Sequence, residues 1–127
     1  MTFIRFVTLK IDENSHQPQG LFQVAYSLLR TGDLNAGERE EVQIIIDWFK
    51  KNLPIPNQPN VEGRAIFWYR DSALEHIQKM WSLANILQSH DCAIQVQKCR
   101  HLHNIVYQDD YQVAAYPHRH DGSITTN

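Results

Sequence analysis

The chain has 127 residues, 43% of them hydrophobic, with twelve basic side chains against fourteen acidic ones and a net charge of -2. That is the size of one ordinary domain with enough apolar material for a core, and the slight acidity argues against a broad phosphate-binding surface. No apolar run approaches the ~20 residues of a membrane-spanning helix, the opening Met1–Phe6 alternates like a strand rather than a signal peptide, and two cysteines make no disulfide framework; a reducing, cytoplasmic setting is expected.

Residues 3–11 read as a first strand with apolar side chains on both faces, Phe3, Val7 and Leu9 on one and Ile4 and Phe6 on the other. Residues 12–20 are polar, punctuated by Pro18 and Gly20, and predict a loop. Leu21, Val24, Ala25, Leu28 and Leu29 place a helix over 21–30, with Gly32 as a left-handed C-terminal cap. Asn35 and Glu38 have the spacing of a capping box for a second helix that runs to about Asn52. Val42, Ile45, Ile46 and Phe49 form its inner stripe. Ile44 and Trp48 stand one turn apart on another side, more apolar than a one-sided helix needs. The proline-bearing segment 53–63 is neither helix nor central strand.

Residues 64–99 predict strand, helix and strand. Ala65 to Tyr69 is a short apolar run suited to a strand covered on both faces. Ser72 and Glu75 have capping-box spacing, and Leu74, Ile77, Trp81 and Ala84 recur at helical spacing as one apolar face. Ile94 and Val96 alternate with Gln95 and Gln97 as in a half-buried strand. A right-handed crossover is expected for this unit. Cys92 and Cys99 flank the last strand and stand too far apart to bridge. Two further strands, 105–108 and 111–116, join as a hairpin around Asp109-Asp110, and 117–127 is a polar tail.

The expected fold is therefore α+β, one domain over 1–116, in the order β-α-α-β-α-β-β-β. Its sheet is mixed, mostly antiparallel and about five strands wide, with helices on one face. A ferredoxin-like arrangement is the alternative. The runs Ile105–Ala114, Trp68–Ala73 and Arg5-Phe6-Val7 resemble a family of short bacterial proteins of unknown function. The similarity covers most of the chain except the tail. It implies a bacterial source and carries over no activity and no functional residue.

Candidate chemistry is sparse. Arg70-Asp71-Ser72 lies where a strand end meets a helix N-terminus, a place that suits a small anion, with Arg70 as a bidentate partner; helix capping explains the same residues. His76 near Asp71 and Glu75 could form an acid–base pair, or belong to a solvated helix face. Cys99, His101 and His103 share strand parity, but three ligands in a line cannot all reach one ion, and no metal or cofactor is expected. His118, His120 and Asp121 in the tail suit only adventitious metal binding. Trp68, Tyr69, Trp81, Tyr107, Tyr111 and Tyr116 could stack bases, but basic residues are not interleaved with them; packing explains them better, and nucleic acid is not the expected partner. No catalytic residue is assigned. Two functional readings follow. One is a non-catalytic adaptor or regulatory module that self-associates or binds a protein through an apolar surface at Ile44 and Trp48. The other is a small enzyme or ligand-binding protein with an anion pocket at Arg70, Asp71, Ser72 and His76.

Overall fold

The computed structural model describes residues 1–11, 18–55 and 65–117. Within them nine elements follow one another: β1 (Phe3–Ile11), β2 (Pro18–Gly20), α1 (Leu21–Thr31), α2 (Ala36–Asn52), β3 (Ile66–Arg70), α3 (Leu74–Gln88), β4 (Ile94–Cys99), β5 (Ile105–Gln108) and β6 (Gln112–Ala115). The fold is α+β, with the predicted element order and one addition. Residues 18–20, expected in a loop, form the short strand β2 against β1. The rest of that loop, most of the proline-bearing segment and the tail beyond Pro117 lie outside the described residues.

Local chemistry sets most helix ends. Asn35 Oδ1 accepts the Glu38 N–H at 2.8 Å, and Glu38 Oε1 accepts the Asn35 N–H at 3.0 Å, the reciprocal box that the spacing predicts. Gly32 closes α1 at φ 78°, its N–H on the Leu28 carbonyl, a conformation that costs glycine nothing. The box predicted for Ser72 and Glu75 does not form. α3 starts at Leu74 behind Ala73, which offers no side-chain cap. A tight turn takes these groups instead, with the Ala73 N–H on the Arg70 carbonyl and the Leu74 N–H on the Ser72 carbonyl.

Each strand pairing is antiparallel. β1 runs beside β4 without a break from Phe3↔Cys99 to Thr8↔Ile94. Its other edge is divided. Phe3 and Ile4 pair with Arg70 and Tyr69 of β3, while Val7 pairs with Gly20 of β2. β3 then turns to β6 through Ile66↔Ala115 to Tyr69↔Gln112, and β5 closes that side. The strands β3 and β4, expected as crossover neighbours, are thus separated by β1, a split βαβ arrangement.

All three helices contribute to one core on one face of this sheet. Leu21 and Ala25 of α1, Ile46 and Phe49 of α2, and Met80 and Leu83 of α3 meet Phe6 and Tyr69 there. Fully burying a side chain such as Phe6 stabilises the fold by ~1.5–3 kcal/mol. Strand alternation sends Ile66, Trp68 and Cys99 to the opposite face, where Phe3 and Leu102 pack on them. That face is therefore covered at its centre within a single chain. Gln97, expected outward, is buried there, and its Oε1 has no hydrogen-bond partner among the described residues. Leu9, expected on a buried face of β1, is exposed.

α3 is rotated relative to its predicted apolar face. Leu74 and Trp81 are 70% and 48% exposed, whereas His76, Met80, Leu83, Ala84 and Leu87 face inward. A polar ring can displace an apolar one here because the Asn52 carbonyl lies 2.8 Å from His76 Nε2. A carbonyl only accepts, so Nε2 carries the proton. Trp48 is half-buried against the core, edge-on to His76 at 4.8 Å, with the Lys79 ammonium 5.4 Å from its ring centre. Ile44, one turn away, is 58% exposed. The pair expected to share an outer surface is thereby divided between a groove and solvent.

Candidate functional site

The four residues predicted to hold an anion do not converge. Arg70 turns toward the β5–β6 hairpin, where Nε donates to the Asp109 carbonyl at 2.7 Å and Nη2 to Gln108 Oε1 at 2.9 Å. Asp71 Oδ2 accepts the Thr2 N–H at 3.0 Å, which ties the start of the chain to the β3–α3 turn. Ser72 is exposed. His76 is enclosed by Trp48, Phe49, Tyr69 and Tyr111, with ring centres 4.6–6.3 Å away. Cys99 is buried and donates to the His101 carbonyl at 3.0 Å, while His101 and His103 lie exposed beyond the end of β4. The three do not gather into a ligand set among the described residues.

The cleft that does form arises from the division of the β1 edge. After Ile4, this edge of β1 pairs with β2 and no longer with β3, so the seam between β1 and β3 opens. A cavity of about 480 Å³ occupies this opening, bounded by α1, the C-terminal half of α2 and β3. Phe22, Ile46, Phe49, Leu53, Phe67 and Met80 supply much of its apolar wall. Size and lining are those of a small-molecule site. Its polar groups are few: Arg5, Tyr69 and Gln112, each at least nine-tenths buried, with Gln23 and Lys50 more exposed.

Tyr69 is the notable one. It is 9% exposed, and its hydroxyl meets no hydrogen-bond partner among the described residues. Burial pushes its pKa far above that of a free phenol, so it stays protonated and is a hydrogen-bond donor. Gln112 is fixed by contrast. Its amide nitrogen donates to the Pro54 carbonyl at 2.7 Å and to Asp109 Oδ2 at 3.1 Å, binding the hairpin to the chain after α2. Asp109 is the hub of that hairpin. Burial pushes its carboxyl up, but hydrogen bonds from the Tyr107 hydroxyl, the Tyr111 N–H and the Gln112 side chain and N–H outweigh this and hold it below the usual carboxylate range. The same bond pushes Tyr107 up to about 12, since a phenolate would face a carboxylate, and burial adds to it.

Two other features are weaker. A wider depression of about 870 Å³ lies between the end of β1, α1 and the α3–β4 turn, but Tyr26, Arg30 and Asp91 around it are exposed. The His90–Glu38 ion pair at 2.9 Å joins the C-terminal end of α3 to the N-terminus of α2. Glu38 sits below its ordinary pKa because of the Asn35 N–H first and His90 second. Both partners serve helix ends, so this contact reads as structural.

Sequence reasoning placed Tyr69 among packing aromatics and did not single out Arg5, Lys50 or Gln112. A glutamine among Val113, Ala114 and Ala115 in a covered strand was the available hint, and it does not by itself indicate a cavity. No family model, curated protein or solved structure matches this chain, so the resemblance to short bacterial proteins rests on its sequence runs alone.

Proposed function

We propose that the protein is a small-molecule-binding module whose ligand occupies the cleft between β1 and β3. The observation that carries this reading is a cavity of about 480 Å³ with largely apolar walls, lined by Tyr69, whose hydroxyl meets no hydrogen-bond partner among the described residues. Among the described residues the cavity lining contains no Ser, Cys, His, Asp or Glu. Neither cysteine is in a disulfide, in keeping with the reducing setting proposed for the protein. No helix among the described residues is long and apolar enough to cross a membrane.

The test is a titration with the apolar fluorophore 1-anilinonaphthalene-8-sulfonate. One saturable site is expected, and it should be lost when Phe67, 37% exposed on the cleft wall, becomes Glu. Non-saturable fluorescence, or binding that Phe67→Glu leaves intact, rejects the cleft.

A second reading, self-association or capture of a protein partner, keeps support from a different surface. Leu74 is exposed on α3, Trp81 there is 48% exposed although its ring meets Phe6 edge-on at 5.0 Å, and Ile44 stands exposed on α2. Sedimentation of wild-type protein and of Trp81→Lys tests it; equal monomeric behaviour at high concentration removes self-association through that surface.

A further inference from the structure

Resting on the self-association reading above, we propose that the partner is a second copy of this chain, joined antiparallel along the outer edge of β4 about a two-fold axis at Val96. β4 pairs with β1 in unbroken register over six residues, and among the described residues β1 is its sole strand neighbour. The strands at the other borders of the sheet are blunted, as exposed edges commonly are. β2 is three residues long, and β5 is four residues long with an irregularity between Ile105 and Tyr107. β4 has neither defect and no proline, and Ile94, Gln95 and Val96 keep part of their surface in solvent. Such an edge can take a further strand through main-chain hydrogen bonds.

Charge selects a second copy, and in antiparallel order. Asp91 precedes β4, while Lys98 and Arg100 mark its end, and all three are exposed. Antiparallel pairing lays the acidic start of each copy beside the basic end of the other; parallel pairing would set like charges side by side. A two-fold axis makes the two contacts identical, so one patch serves both partners. The place of the axis follows from Trp81. Its ring meets Phe6 edge-on at 5.0 Å, and Phe6 pairs with Val96, so Trp81 is level with the middle of β4. With Val96 on the axis, Lys98 stands opposite Ile94 of the second copy and not opposite its own equivalent. The two Trp81 rings, each 48% exposed, come to one level over the joined sheet.

Sedimentation equilibrium and hydrogen exchange on the wild-type protein test the proposal. A reversible dimer is expected, and the β4 amides that point away from β1 should exchange more slowly as the dimer fills. Arg100→Glu, a change at an exposed position, should weaken the dimer several-fold and leave the thermal stability of the monomer unchanged, and added salt should weaken the wild-type dimer. A wild-type protein that stays monomeric at every concentration overturns the proposal and self-association with it. A dimer whose outward β4 amides exchange as fast as in the monomer overturns the β4 edge and leaves self-association to another surface. The same holds if those amides are already slow in the monomer. A dimer that neither Arg100→Glu nor salt weakens overturns the antiparallel charge pairing.

Discussion

Two buried polar rings sit side by side in this protein with opposite surroundings. His76 and Tyr69 have ring centres 6.3 Å apart and both pack against Phe49. His76 is boxed by aromatics, and its Nε2–H is met by a carbonyl at 2.8 Å. Tyr69 has its ring in the same core and lines the cavity, and its hydroxyl meets no hydrogen-bond partner among the described residues. The difference teaches how to sort buried polar groups. One that is matched and packed all round stabilises the fold. One that lines a cavity without a partner contributes less to the fold and is open to solvent or to a ligand.

The sharpest test of that contrast is His76→Ala. It removes a packed ring and leaves the Asn52 carbonyl without its donor, and should cost about 3 kcal/mol of folding stability. A denaturant melt measures it; a loss below ~1 kcal/mol, the scale of a surface substitution, would mean the box is not closed.

Trp48 borders the same box and should behave as its lid. Because it is only half-buried, Trp48→Ala is expected to cost about 2 kcal/mol, less than a fully buried aromatic, and to leave sedimentation unchanged. A mutant of near-native stability that shifts sedimentation instead would return Trp48 to the interface role expected from the sequence.

Asp109 stabilises the hairpin that presents Gln112 to the cleft. Asp109→Asn should cost about 1 kcal/mol at neutral pH, because a neutral amide accepts more weakly than a carboxylate. Its folded pKa lies below the ordinary carboxylate value of 3.8, so the charged form is favoured in the folded state. The associated stability is complete above that value and is lost as pH falls through the folded pKa. A stability profile below pH ~4 should therefore be flatter in Asp109→Asn than in the wild type; parallel acid limbs would contradict the lowered pKa.

Tyr69→Phe should be the mildest of the four, within about 0.5 kcal/mol of wild type in the absence of ligand. A loss comparable to that of His76→Ala would show a matched hydroxyl and erase the contrast.

Much of the secondary structure was legible in the sequence. The Asn35–Glu38 box, the Gly32 cap, the inner stripe of α2 and the hairpin at Asp109-Asp110 follow from chemistry among residues a few positions apart. The α+β class with helices on one face follows from the pattern of apolar positions. Only tertiary structure decided how these parts meet. The inward turn of His76 depends on the Asn52 carbonyl, 24 residues earlier in the chain. The cleft depends on β1 sharing one edge between β2 and β3, whose pairing residues lie in separate parts of the sequence. Capping and periodicity act within one or two turns and therefore show in a linear sequence. Strand order and the space left where strands diverge are set by contacts across the whole chain, and no local pattern encodes them.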